Sequence, residues 1–402
     1  MNTTLKRDNV PNIPTEEILL ERAKALVPML RERSTEIEKN RSVPTDIIKA
    51  FKDAGFFHIL QPARWGGYEM NPAVFYKVLM ELGRGCSSSA WNMMILGIHT
   101  WEFGLLDARA GEDVWGQDNS VIVASSYAPV GAYRKVEGGY VVSGRWPTSS
   151  GIDHAQWAFL GIQLLDEDGK TPVDRIAMLI PHADYTIADD WHVFGLAGTG
   201  SKSVVVKEAF VPQYRTHSTP DYKLSDRGDI YLFSFQQIFY AAVSSVINGM
   251  AQGAVEEFIR QMNSRTNISN GAKTALSPYV KDRLGNAVAR VRSSRARILH
   301  MMHETTHYVE RRELVPLDDR VAYMLDIARV GRECEEAVLL LFKAMAARGI
   351  YLDNPVQRIL RDVIAASNHI TQNADDTAGI LGGYLLGQPL PPLMFAREPL
   401  PR

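Results

Sequence analysis

The 402-residue sequence predicts an α+β fold in three sections: a helical domain over residues 1–118, a small antiparallel β domain over 119–216, and a helical bundle over 217–402. Three observations carry this expectation. Apolar residues recur at helical spacing up to about residue 118. Short β-rich runs then replace them between Ser120 and Pro212. Beyond about residue 230 the helical pattern returns and persists. No helical pattern separates the strand-like runs, which argues against a doubly wound nucleotide-binding sheet.

The first helix is carried by "EEILLERAKALVPML", where Leu19, Leu20, Ala23, Leu26, Val27 and Leu30 share one face. The second has Pro44 near its start and Gly55 just past its end, the usual punctuation of a helix. Further helices are expected at about 72–83 and 86–105. The strands are read from "SVIVASSYA", "YRKVEGGYVVSG", "QWAFLGIQLL", "DRIAMLIP" and "SVVVKEAFVP", with a hairpin turn at Gly138-Gly139. Long amphipathic stretches at roughly 235–265, 276–311, 317–348 and 355–384 predict the bundle. Apolar positions on more than one of its faces point to burial between subunits.

Composition narrows the class. Hydrophobic residues at 46% and charged residues at 22% fit an ordinary globular protein. A net charge of −2 gives no electrostatic reason to expect a nucleic-acid partner. Only Cys86 and Cys334 are present, far apart, which excludes a disulfide framework and suits a reducing cytoplasm. The N-terminus lacks the apolar core of a secretion signal, and no uncharged apolar run is expected to span a bilayer.

Four motifs bear on chemistry. "HETTH", His303 to His307, has the spacing of a zinc-peptidase helix, but lacks an evident third ligand; no metal is expected. "GLAGTGSKS", Gly195 to Ser203, is glycine-rich yet lacks the ending of a phosphate-binding loop and precedes a strand. "RVRSSRAR" reads as a solvated or subunit-facing helix surface. "GRWPTSSGIDHA", Gly144 to Ala155, ends a strand in three hydroxyls and a glycine; the pattern fits a turn or a row of donors facing a ligand.

"GLAGTGSKSVVVKEAFVP" and "GFFHILQPARWGG" resemble segments of acyl-CoA dehydrogenases, and the resemblance covers about residues 15–395. Two features of a dehydrogenase are missing. The second flavin-facing strand reads "ASSYAPVGAY" without the Thr-Glu signature. The C-terminal region "DDTAGILGGYLLG" has no glutamate base, only Asp375 and Asp376 nearby. The stretches "QPARWGG", "GIHTWEFGLLDARAGEDVWG", "ASSYAPVGA", "SSGIDHA" and "RDVIAASNH" instead resemble the oxygenase components of two-component flavin-dependent monooxygenases. These include 4-hydroxyphenylacetate hydroxylase and a hydroxylase of a steroid-derived phenol.

That resemblance implies an acyl-CoA dehydrogenase-like fold and a homotetramer. It implies FMNH2 or FADH2 from a separate NAD(P)H:flavin reductase, since no G-x-G-x-x-G fingerprint is present. Oxygen as co-substrate would form a C4a-hydroperoxyflavin that hydroxylates a phenol, an indole or a polycyclic aromatic. Oxidation of nitrogen or sulfur, or of indole-3-acetate, is the alternative within the branch; acyl-CoA dehydrogenation is a further one. Carried over by position, Ser150 lies beside flavin N5 with Ser149 next to it, and His369 serves as base or acceptor at the substrate hydroxyl. His99, Ser125, Ser126 and Thr148 line the substrate pocket, with Thr148 standing where relatives often have Trp. Arg265 contacts the flavin phosphate, and Gln236 stands where an arginine near the flavin occurs in the family. Read without the resemblance, the same residues also fit a turn serine, core histidines and a surface arginine.

Overall fold

The computed structural model describes residues 13–218, 228–266 and 271–391. Five helices open the chain: α1 (Glu16–Asn40), α2 (Thr45–Asp53), α3 (Pro72–Gly83), α4 (Ser87–Glu102) and α5 (Ala108–Trp115). Thr15 caps α1 by accepting from the Ile18 amide, and Asn71 caps α3 ahead of Pro72. Every residue of α4 except Ile95 is buried. Its sequence contains no Asp, Glu, Lys or Arg between Arg84 and Glu102, so both faces can be enclosed. It packs against α3, the bundle and the β domain.

Eight strands follow: β1 (Val123–Ser126), β2 (Ala132–Val136), β3 (Gly139–Ser149), β4 (Trp157–Leu165), β5 (Pro172–Pro181), β6 (Thr186–Ala188), β7 (Lys202–Pro212) and β8 (Thr216–Ser218). They form two four-stranded sheets, ordered β1-β4-β5-β8 and β2-β3-β7-β6. The hairpin turn is Glu137-Gly138, with Gly138 at φ +77° and Gly139 already in β3. All pairings are antiparallel but one. β1 runs parallel to β4, Ser125 opposite Phe159, because the chain forms the β2–β3 hairpin in the other sheet before it returns to this one.

The bundle comprises α6 (Phe235–Ser264), α7 (Pro278–Glu310), α8 (Leu317–Ala344), α9 (Pro355–Ser367) and α10 (Ala374–Leu385). Two expectations need correction. The run between Asp229 and Glu256 carries no charge, so α6 is long and apolar enough to cross a bilayer; 83% of its most apolar window is buried inside the protein. The stretch 355–384 is two helices, because the His369 side chain accepts from the Thr371 amide and Asn373 caps α10. The break places His369 at the end of α9 rather than on a helix face.

Candidate functional site

Helix α4 carries two clusters on one strip. Trp91, Ile95 and His99 follow one another at four-residue spacing, so Trp91 and His99 are separated by about 12 Å along the axis. The cluster at Trp91 is a chain of hydroxyls. Trp91 Nε1 donates to Ser150 Oγ at 3.1 Å; Ser150 Oγ lies 2.7 Å from Ser201 Oγ, and Ser201 Oγ lies 2.6 Å from Thr199 Oγ1. Thr199 Oγ1 lies 2.8 Å from the Leu196 carbonyl. A carbonyl oxygen can only accept, so the single Thr199 proton points to it. Ser201 then donates to Thr199, and Ser150 donates to Ser201. Ser150 thus has its proton spent and presents a remaining lone pair. Beside it, the Ser149 hydroxyl is fully buried and has no hydrogen-bond partner.

His369 joins this cluster, its ring meeting Trp91 edge-on at 5.7 Å. The backbone amide of Thr371 donates to His369 Nδ1 at 3.3 Å, so the neutral ring carries its proton on Nε2. Burial among protein atoms pushes the imidazole down to about 4, although part of the residue reaches solvent. His369 therefore presents a donor near neutrality, which changes the base role expected from the resemblance. The loop bearing Thr199 and Ser201 is tied to the same helix: the Leu196 amide donates to Asp362 Oδ1 at 2.7 Å, and a Cβ on Gly195 would lie 2.1 Å from the Arg361 carbonyl oxygen. Burial raises Asp362 to about 6, partly offset by that amide and by Ser87.

The cluster at His99 is ionic and dry. Glu102, one turn on, is fully buried and accepts from His99 Nδ1 at 2.5 Å, from His217 Nε2 at 2.9 Å and from the Tyr127 hydroxyl. Burial works to raise the Glu102 carboxyl, but electrostatic attraction to His99 and His217 and the hydrogen bonds they donate outweigh it and hold it at about 2. Burial, then the Glu102 charge, pushes the Tyr127 phenol well above its usual range, so it remains a donor. His99 Nε2 is buried and has no partner. Rings of Phe239, Phe159 and Tyr127 stand 5.6 to 5.8 Å from the His99 ring.

Sheet register assembles this cluster. Alternation puts Ser125 and Tyr127 on one face of β1, within hydrogen-bond reach of each other, and turns Ser126 to the other face, where it donates to the Pro147 carbonyl at 2.6 Å. Gly161, Ala177 and His217 form a cross-strand row; two small residues let His217 reach across to Glu102. A Cβ on Gly161 would lie 2.4 Å from the Tyr127 carbonyl oxygen. Thr148 sits exposed in a bulge of β3 at φ +59°, a strained conformation for a β-branched residue.

The structure thus brings Ser149, Ser150 and His369 to one end of the strip, and His99 and Ser125 to the other. Ser126 is occupied structurally. Arg265 does not join them within the chain: it ends α6, 26 residues beyond Phe239, and donates to the Met345 carbonyl. Gln236 lines a separate cleft of about 400 Å³ with Tyr240, Arg320 and Tyr323. A second cleft of about 490 Å³, lined by Arg31, Arg84, Ser87, Arg358 and Asp362, also lies apart from Ser150 and His99. His303 and His307 pack ring to ring on α7, but among the described residues no three potential metal ligands gather. Asp375 and Asp376 are exposed and engaged with Arg332 and Asn373, so neither supplies a buried carboxylate base. Sequence reasoning missed Trp91, Glu102, Tyr127 and His217. A glutamate three residues after a histidine in a helix otherwise free of charge was a usable signal for Glu102; nothing in the sequence pairs either with His217.

Residues 14–108 match the acyl-CoA dehydrogenase N-terminal domain family and residues 241–374 its C-terminal domain family. The chain is 35% identical over 379 residues to the flavin-dependent monooxygenase oxygenase subunit HsaA of Rhodococcus jostii (strain RHA1), covering 92% of this chain and 99% of that one. It belongs to the flavin-dependent monooxygenase oxygenases of the acyl-CoA dehydrogenase fold. The crystal structure of 3-HSA hydroxylase from Rhodococcus sp. RHA1 superposes with a TM-score of 0.89 at 35% identity, over 94% of this chain and 98% of that one. The p-hydroxyphenylacetate 3-hydroxylase oxygenase component of Acinetobacter baumannii is 27% identical, over 94% of this chain and 90% of that one. The oxygenase uses reduced flavin and O2, and the residues at the Trp91 end fit such a group. A buried unpartnered hydroxyl at Ser149 and a free acceptor position on Ser150 suit a planar ligand whose edge carries N–H and C=O groups.

Proposed function

We infer that the chain is the oxygenase of a two-component system and hydroxylates an aromatic compound bearing a ring hydroxyl. The observation that carries this reading is His99 Nε2: a buried, unpartnered nitrogen walled by three aromatic rings, one α4 strip away from the hydroxyl chain at Ser150. Reduced flavin, supplied by a separate reductase, delivers the electrons that activate O2. Ser149, Ser150, Trp91 and His369 would hold its ring. Ser150 would accept from an N–H on the edge of the reduced ring, which would also slow loss of that proton. His369 would offer its Nε2 proton to the bound group. Phe159, Phe239 and Tyr127 receive the aromatic substrate and exclude water, while His99 faces its hydroxyl and accepts a hydrogen bond or the proton. Thr148, smaller than Trp, leaves the rim of the β domain open to a bulky ring system. The p-hydroxyphenylacetate 3-hydroxylase named above acts on a hydroxylated aromatic, and no nicotinamide-binding βαβ unit occurs among the described residues.

Self-association as a homotetramer accords with apolar side chains left exposed at Ile350, Tyr351, Leu352, Ile370, Leu385 and Leu386. The deciding experiment supplies chemically reduced FMN or FAD and ¹⁸O2 to the pure protein with a panel of phenols, indoles and fused-ring phenols. Incorporation of one labelled oxygen into a hydroxylated ring is the expected result. Exclusive labelling of a nitrogen or sulfur centre, or turnover of acyl thioesters alone, would refute it.

A further inference from the structure

Glu102 and His217 form a buried ion pair behind His99, at one end of the strip. His217 Nδ1 lies 3.1 Å from the Ser218 carbonyl and His217 Nε2 lies 2.9 Å from Glu102 Oε1. Both neighbours are acceptors, so both His217 nitrogens must carry protons to bond them. One positive charge on His217 then balances the Glu102 carboxylate, as burial of a charge requires. The other carboxylate oxygen, also bonded by Tyr127, receives the Nδ1 proton of His99 at 2.5 Å. With its charge already matched, Glu102 leaves His99 neutral, with its proton on Nδ1 and a bare lone pair on the unpartnered Nε2. Among the described residues, the titratable groups hydrogen-bonded at His99 are Glu102 from α4 and Tyr127 beyond β1, with His217 from β8 on the far side of the carboxylate. From α6 and β4 only the rings of Phe239 and Phe159 face it.

We propose that Glu102 and His217 are positioning residues: together they lock His99 as a proton acceptor, so that an aromatic hydroxyl is bound as its anion. This rests on the reading that His99 faces the substrate hydroxyl. In the step, the O–H bond breaks, its proton moves to His99 Nε2, and the electron pair stays on oxygen as phenolate. The resulting His99 cation is held by Glu102. The phenolate is the electron-rich form that an electrophilic oxygen attacks, so the pair acts before oxygen transfer. Replacing the carboxylate by an amide keeps one acceptor oxygen but removes the negative charge that holds the His99 cation. Proton transfer to Nε2 is then disfavoured, and the substrate hydroxyl stays protonated.

The test uses the whole protein without flavin and the chromogenic probe 4-nitrophenol, whose anion absorbs near the visible edge and whose neutral form does not. At a pH one unit below the probe's own pKa, wild type is expected to show the anion band on binding. Glu102→Gln is expected to bind the probe but lose most of that band, with its apparent ionisation moved to higher pH. In turnover with reduced flavin, Glu102→Gln should lose about 100-fold or more at pH 7 and regain activity as pH rises. His217→Gln, which keeps the carboxylate but removes the charge that balances it, should move the ionisation the opposite way, to lower pH, and it serves if Glu102→Gln does not fold. Binding of neutral probe by wild type, or an apparent ionisation unchanged in a folded variant, would overturn the proposal while leaving aromatic binding intact. If wild type excludes phenols altogether, yet oxidises another class, the reading of the pocket fails, and the proposal falls with it.

Discussion

Replacing Ser201 with alanine removes the acceptor for the Ser150 proton at 2.7 Å and leaves Trp91 donating to Ser150 at 3.1 Å. The Ser150 hydroxyl is then free to rotate and donate outward. In the native chain it only accepts, which suits the N–H of reduced flavin and opposes the bare nitrogen that oxidised flavin has in the same place. Ser201→Ala should therefore bind oxidised flavin more tightly, with reduced flavin little affected. One neutral hydrogen bond is worth about 0.5–1.5 kcal/mol net, so the preference for reduced over oxidised flavin should shrink by about two- to thirteenfold. Thr199→Val cuts the chain at its anchor on the Leu196 carbonyl, frees the Ser201 proton to turn toward Ser150, and should shift the preference in the same direction. Ser150→Ala removes the group itself and should weaken reduced flavin instead. Each Kd is measured by titration, anaerobically for the reduced form, with circular dichroism to establish folding. An unchanged reduced-to-oxidised ratio in both Ser201→Ala and Thr199→Val, with the fold intact, would refute the directed hydroxyl chain.

Other outcomes follow from the same geometry. Gly195→Ala forces a methyl to within 2.1 Å of the Arg361 carbonyl oxygen and should cost about 1–3 kcal/mol in denaturant unfolding; it should also disturb the loop that carries Thr199 and Ser201. Thr148→Gly relieves a β-branched residue at φ +59° and should stabilise by up to about 1 kcal/mol in the same measurement, with a loss of stability counting against strain there. His369 and Asp362 oppose each other with pH. His369 falls to about 4 on folding, so the unfolded chain takes up its proton first and stability drops as pH falls from 6.5 to 4, by about 3 kcal/mol at most. Asp362 rises to about 6, so its contribution favours the folded state at low pH and is lost as pH rises from 3.8 to 6, by a similar amount. Asp362→Asn removes only the second effect and should steepen acid destabilisation between pH 6 and 4; unfolding curves parallel to wild type across that window would contradict it.

What the sequence determined by itself is what depends on local periodicity and on text shared with relatives. Helical spacing in Leu19 to Leu30, the short β-rich runs between Ser120 and Pro212, and the glycine turn at 138 each follow from interactions within a few residues, and they suffice for the order helix, sheet, bundle. The serines at 149 and 150 and the histidines at 99 and 369 were found because the stretches around them match a known family. Three things were decided only by tertiary structure. Parallel pairing of β1 with β4 brings together segments more than thirty residues apart, which no local pattern encodes. Burial, not composition, makes α6, uncharged as far as Glu256, the core of a bundle. Protonation is the third: the Thr371 amide puts the His369 proton on Nε2, whereas Glu102, balanced by His217 from 115 residues away, puts that of His99 on Nδ1. A histidine's proton follows its hydrogen-bond partners, and those partners are chosen by the fold.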